Sequence, residues 1–377
     1  MSRRTGRWIM LLSFVISAGV SFSADGFIEI GANEMEPMMM PQDERPLINP
    51  GWEAQRSGID ASLRGVCANS KTVAWASGSS GTVLKTSNGG GTWISVSVPG
   101  AENLDFRDVH AFDADTALVM SAGRPAKIYK TTDGGKAWLE CYSNDREGVF
   151  LNSLAFWDHA RGLAVGDPLG GYFLVLRTLD GGESWSRVPA EEIPSPREGE
   201  AEFAASGTCV AVAGEGLAWF VTGGKAASVF RSEDWGCSWT AAEAPILNGE
   251  PSQGIFSVAF IDGEKGIIVG GDYRDPDRRE RNAAYSSDGG KTWLPVTEAG
   301  LPHGFRSCAA YVQGLGGPTL VAVGVSGSDY SPDGGRSWIA FSETGFHAAS
   351  FATDGAGWAV GSEGRIARFV RDKKVVR

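Results

Sequence analysis

The chain has 377 residues, with 34 Lys and Arg against 45 Asp and Glu, for a formal net charge of -11. That balance excludes a general nucleic-acid binder, because the phosphate backbone selects clustered positive charge. Five cysteines (Cys67, Cys141, Cys209, Cys237 and Cys308), an odd number without CxxC spacing, exclude a disulfide framework and a zinc site.

The first predicted element is a secretory leader over residues 1–23. Arg3, Arg4 and Arg7 precede an apolar run from Trp8 to Phe22, and the small residues Ser21 and Ser23 suit a cleavage site after Ser23. As a helix the run would span about 22 Å, short of the roughly 30 Å hydrocarbon core, which disfavours an uncleaved anchor. The expected product is secreted or periplasmic, with no membrane span after cleavage. "SRRTG" leaves the twin-arginine route open beside the general one. Loss of three arginines and no acid takes the charge to about -14.

Residues 24–45 read as a flexible Met- and Pro-rich linker. Met35, Met38, Met39 and Met40 could hold Cu(I) only with His or Cys alongside, and neither is present.

From residue 46 to 372 the chain repeats. Six boxes recur: "TSNGGGTW" (86–93), "TTDGGKAW" (131–138), "TLDGGESW" (178–185), "SEDWGCSW" (232–239), "SSDGGKTW" (286–293) and "SPDGGRSW" (331–338). Their closing residues Trp93, Trp138, Trp185, Trp239, Trp293 and Trp338 are spaced by 45, 47, 54, 54 and 45 residues, which leaves room for four short strands per interval. The turn acids Asp133, Asp180, Asp234, Asp288 and Asp333, with Asn88 in the first box, can accept backbone N–H bonds, and the glycines supply positive φ. Burying roughly 150–250 Å² of each Trp between blades contributes something like 4–6 kcal/mol before entropy. Six equivalent turns are scaffold rather than phosphate or calcium loops, and no Walker Lys-Ser/Thr opens a helix.

After the last box, residues 345–370 supply three strands, and "PGWEAQRSG" (50–58) resembles the missing fourth. The pattern predicts an all-β, seven-bladed propeller whose N-terminal strand completes the last blade and removes an open edge. Residues 373–377 form a basic tail.

The S/T-x-D-x-G-x-S/T-W unit is identified as the Asp-box, or bacterial neuraminidase repeat. With "VGDPLGG", "EFAASGT", "GIFSVAF", "VGGDY" and "GFRS", residues 46–370 resemble the photosystem II stability and assembly factor family and its relatives outside photosynthesis. The resemblance implies a monomeric binding or assembly module with a protein partner, acting on an electron-transfer or membrane complex. Asp-boxes alone specify fold and not function. No residue pattern supports a redox cofactor, a metal or any other cofactor.

The box hairpin joins strands three and four of each blade, so functional residues belong on the opposite, top face. Aligned by their alternation, the innermost strands place Arg64, Arg107, Asn152, Ser206, Phe256, Arg306 and His347 at the channel mouth, with the fourth unit fitting least cleanly. Ring order makes Arg306, His347, Arg64 and Arg107 neighbours, a candidate anion site for an acidic segment, small molecule or glycan. Two arginines about 8 Å apart repel by roughly 2 kcal/mol, so counter-charge is expected, from a ligand or from pairs such as Arg107 with Asp108 and Arg64 with Glu363. Opposite the arc stand Asp167, Asp272 and Tyr273, the connection carrying Glu191, Glu192, Glu198, Glu200 and Glu202, and the insertion 272–282.

A sialidase-like glycosidase is the alternative. The arginines would clamp a carboxylate, Tyr273 would be the nucleophile, and Asp167 or Asp272 the acid. Against it, sialidases of this type have six blades and a Phe/Tyr-Arg-Ile-Pro segment, which is missing. Of His110, His159, His303 and His347, only His347 falls at the mouth, and no nucleophile elbow accompanies any of them.

Overall fold

A computed structural model describes residues 48–373 except 316. The expected leader, the linker and all but the first residue of the basic tail lie outside the described residues. Apolar alternation punctuated by glycine turns gives thirty short strands in seven antiparallel sheets, and no helix among the described residues is long and apolar enough to cross a membrane.

The strand β1 (Ile48–Gln55) comes first in sequence. Blade 1 follows with β2 (Leu63–Ala68), β3 (Ala74–Gly78), β4 (Val83–Thr86) and β5 (Ile94–Ser95). Blade 2 holds β6 (Asp105–Ala111), β7 (Ala117–Ala122), β8 (Ala126–Thr131) and β9 (Leu139–Asn144), and blade 3 holds β10 (Leu151–Phe156), β11 (Gly162–Pro168), β12 (Phe173–Thr178) and β13 (Ser186–Arg187). After the two-residue β14 (Glu200–Ala201), blade 4 runs through β15 (Val210–Ala213), β16 (Leu217–Val221), β18 (Ser228–Ser232) and β19 (Thr240–Glu243), interrupted by β17 (Gly223–Gly224). Blade 5 has β20 (Gln253–Phe260), β21 (Gly266–Asp272), β22 (Ala283–Ser286) and β23 (Leu294–Pro295). Blade 6 has β24 (Cys308–Tyr311), β25 (Leu320–Gly324), β26 (Gly327–Ser331) and β27 (Ile339–Ser342). Blade 7 is β28 (Ala348–Phe351), β29 (Gly357–Val360) and β30 (Ile366–Lys373), with β1 as its outermost strand, paired from Ile48↔Lys373 to Gln55↔Ile366.

The box hairpins hold themselves by side-chain bonds. In the second, Thr131 Oγ1 donates to Asp133 Oδ1 at 2.9 Å and accepts the Gly135 amide at 3.0 Å, while Asp133 Oδ1 also accepts the Ala137 amide at 2.9 Å. Gly134 and Gly135 have φ of 77° and 85°, which a side chain would strain. Trp93 packs with Trp358 of blade 7, and Trp138 meets Trp75 edge-on.

One side-chain latch joins each pair of neighbouring blades along the axis. In ring order they are Cys67 Sγ to Ala111, Asp108 to the Leu154 amide, Ser153 to Gly207 O, Thr208 to Ser257, Ser257 to Ala309, Cys308 Sγ to Ala349, and Ser350 to the Ala68 amide. The last of these closes the ring between blades 7 and 1.

Blade 4 departs from the common plan. Two short strands next to it, β14 and β17, extend the sheet of blade 5 instead of its own, with Gly223 against Gly254. The "EFAASGT" segment therefore runs across the top of the channel, which explains why the fourth unit aligns poorly.

Candidate functional site

The tops of the innermost strands carry β-bulges. Register shifts fall at Arg64 in β2, Arg107 in β6, Asn152 in β10 and Phe256 in β20, leaving each of these residues outside the ladder of its strand. A bulged residue is free to re-aim its side chain. Arg64, Arg107 and Phe256, with His347 just ahead of β28, line one cavity of about 360 Å³. Phe203, Ala204 and Ala205 from the segment after β14 complete its wall, with Tyr273, Phe305, Ser307 and Val325. Ser206 Oγ donates to Ser307 O at 2.7 Å, joining a wall of the lower channel to a wall of this cup.

Charge is concentrated on one side. Arg107 Nε donates to Asp105 Oδ2 at 2.6 Å, and an η-nitrogen donates to Ala204 O at 2.8 Å. The expected pair with Asp108 does not form, because that carboxylate is buried and already accepts the Val109 and Leu154 amides at 2.7 and 2.8 Å. Burial carries Asp108 up to about 7. Arg64 makes no ion pair and no side-chain hydrogen bond among the described residues, so the expected pair with Glu363 is also absent. Burial, then the neighbouring Arg107, lower its pKa, while Asp105 pulls the other way. His347 is neutral at pH 7: burial, then Arg64, bring it down to about 4. Its Nδ1 lies 2.9 Å from Leu63 O, which makes Nδ1 the protonated nitrogen, and Nε2 lies 3.3 Å from Ser362 Oγ. With Arg107 matched by Asp105, the unmatched positive charge of the cup is that of Arg64.

Aromatic rings form the other side. Phe203 stacks on Phe256 with centroids 3.9 Å apart and planes 6° from parallel, and Phe305 and Tyr273 meet Phe256 edge-on at 4.7 and 6.1 Å.

Other expected mouth residues are turned to structure. Arg306 keeps 1% of its side-chain surface and binds Asp329, Phe305 O, Ser326 and His303 O, so the arc loses its fourth member. The three-arginine clamp of the glycosidase alternative does not assemble, because Arg306 faces this interior acid. Asn152 is fully buried and donates through Nδ2 to Asp167 Oδ1 and Glu202 Oε2, each at 3.0 Å. Glu200 accepts the Thr222 hydroxyl at 2.5 Å and the Arg197 amide at 2.8 Å. Glu200 and Glu202 thus sit inside the protein instead of forming an acidic rim. Asp272 is occupied by Gln253 and the Arg274 amide, at 3.1 and 3.0 Å. The insertion beyond it satisfies much of its own charge, through Arg278 and Arg281 to Glu280.

Sequence reasoning missed Phe203, Phe305, Asp105 and Asp329. Phe305 directly precedes Arg306 ahead of β24, so exchange of neighbouring positions in the strand alignment is the available signal. Phe203 had none, since its segment leaves the blade plan. Among the described residues, no three His, Cys, Asp or Glu side chains converge to hold a metal ion, and all five cysteines are unpaired.

Comparison with known proteins agrees with this architecture. The family model described as photosynthesis system II assembly factor YCF48 matches residues 46–146. Photosystem II stability/assembly factor HCF136, chloroplastic, from Oryza sativa subsp. japonica is 25% identical over 241 residues. That match takes in 62% of this chain and 42% of the rice protein. A solved structure described as YCF48 bound to D1 peptide superposes with a TM-score of 0.57 at 19% identity, covering 85% of this chain and 97% of the other. YCF48 from Cyanidioschyzon merolae gives 0.60 at 17% identity, covering 84% and 98%. At these identities the structural likeness carries the fold, and on the sequence matches the chain resembles the photosystem II assembly factor family.

Proposed function

We propose that the chain is a binding and assembly module that holds an acidic segment of a protein partner in the top-face cup. One observation carries this: a guanidinium, Arg64, stands in the wall of a preformed cavity with no ion-pair partner and no hydrogen-bond acceptor among the described residues. A partner carboxylate would supply both, and a charge-assisted bond of this kind is worth about 1.5–3 kcal/mol. The similar YCF48 protein, described as bound to a D1 peptide, supports a peptide or protein partner over a small molecule. The expected leader over residues 1–23 supports a place in the periplasm or outside the cell, and the closed ring supports action as a monomer.

The test is affinity capture from an envelope extract with the wild-type chain beside Arg64→Ala. A partner retained by the first and lost by the second, with both proteins melting alike, is the expected result. Equal capture by both would remove the cup from the function.

A further inference from the structure

The cup is too large and too apolar on one side for an acid alone. Its volume of about 360 Å³ corresponds to roughly twelve waters at about 30 Å³ each, of which a carboxylate replaces a few. Tyr273 and Val325 line it while keeping 43% and 46% of their surface exposed. Phe203 is half-buried: it stacks on Phe256 and also lines the cavity. Apolar surface held open beside a charge is the usual composition of a site that reads two features of one ligand.

The geometry of an extended chain restricts how a peptide can present both. Adjacent side chains point to opposite faces, whereas residues two apart lie on the same face about 6.6–6.8 Å from each other. A single cup with a guanidinium on one wall and rings on the other is met by the second arrangement and not by the first.

We propose that the cup recognises a two-position pattern: an acidic residue seated on Arg64 and an aromatic or branched apolar residue two positions away, seated among Phe203, Tyr273 and Val325. The pattern presupposes the protein-binding role proposed above, and it makes these three side chains the specificity determinants of that role. Charge complementarity fixes the acid, and the open apolar wall fixes its companion.

Fluorescence anisotropy with the full chain and end-capped peptides tests it. The core sequences are Phe-Ser-Asp for the spaced pattern, Ser-Phe-Asp for the adjacent one, Ser-Ser-Asp for acid alone and Phe-Ser-Asn for ring alone. The spaced peptide should bind at least tenfold more tightly than the other three. Arg64→Ala should weaken binding of every acidic peptide, and Phe203→Ala should reduce the spaced peptide to the acid-only level while leaving the acid-only peptide unchanged. Tyr273→Ser, at an exposed position, should act in the same direction as Phe203→Ala. Equal affinity for the spaced and acid-only peptides, with Arg64 still required, would overturn the pattern and leave the protein-binding role standing. Loss of all Arg64 dependence, or no binding by any peptide, would overturn both.

Discussion

Arg306 Nε donates to Asp329 Oδ2 at 2.6 Å, and the two side chains keep 1% and 0% of their surface. His303 Nδ1 approaches the other oxygen of Asp329 at 2.7 Å, so one buried carboxylate gathers two groups at the top of blade 6. Taking such a pair apart leaves one charge without water or partner, at about 3–5 kcal/mol. Asp329→Asn should therefore lower the thermal midpoint by an amount equivalent to that range. Arg64→Ala, which breaks no side-chain hydrogen bond or ion pair among the described residues, should stay within about 0.5 kcal/mol of wild type. Thermal unfolding of both variants decides the matter. Equal losses would mean that Arg64 has a structural partner after all, and equal tolerance would mean that the Arg306 pair adds nothing.

One amide adds to the strand pairing that closes the ring. Gln55 Oε1, at the end of β1, accepts the indole N–H of Trp93 at 3.0 Å and of Trp358 at 3.1 Å, and Gln55 Nε2 donates to Gly89 O at 3.0 Å. It thereby ties blade 7 to the first box hairpin. Gln55→Ala leaves two indole N–H groups on largely buried rings without an acceptor. At about 1–3 kcal/mol for each orphaned group, a loss of at least 2 kcal/mol is expected in a denaturant melt. Gln55→Glu keeps the acceptor and should lose less. If the alanine variant melts at the wild-type midpoint, the latch has no energetic role.

Much of this architecture was legible because it repeats. The box turn, the Trp that follows it and the small residues of the second strand recur every 45 to 54 residues. One unit thus stands for seven, and the missing strand of the last blade shows in "PGWEAQ". Asn88 could be read as a working substitute, and its Oδ1 accepts the Thr92 amide at 2.9 Å while its Nδ2 donates to Thr92 Oγ1 at 3.0 Å. Alignment also placed Arg64, Arg107 and Phe256 at the mouth, where bulges at equivalent positions bring them to one cavity, and His347, just ahead of β28, beside them. It could not tell Arg64 from Arg306, because the difference is Asp329, an acid 23 residues further on whose burial no local pattern announces. Nor could it find Phe203, which reaches the cup only because β14 and β17 join the sheet of the next blade.

Beneath the same segment lies a pair of carboxyls held by one amide. Asn152 Nδ2 bonds both Asp167 and Glu202, while Glu202 Oε1 and Asn152 Oδ1 are buried without partners. Burial, and then the charge of Asp167, hold Glu202 well above the usual carboxylate range, and burial raises Asp167 as well. Among neighbouring titratable groups, the Cys209 thiol feels the charges of Glu202, Asp108 and Asp167, so no cation offsets the pair from that side. A carboxyl whose pKa is raised by folding keeps its proton in the native state and gives it up in the unfolded chain. The wild type is then relatively stabilised at low pH and loses that stability as pH rises above the unfolded value of about 4.5. Glu202→Gln fixes the neutral form, placing an amide N–H at the orphaned position while retaining the acceptor for Asn152. The variant should match wild type near pH 4, below the unfolded value, and exceed it by more than about 1 kcal/mol at pH 8, the slope being bounded by about 1.4 kcal/mol per pH unit for one proton. Chemical denaturation at the two pH values checks the sign. A difference that is constant across the range would mean that Glu202 is ionised in the folded protein, and that the rim carrying Phe203 and Ala204 rests on a charge instead of a proton.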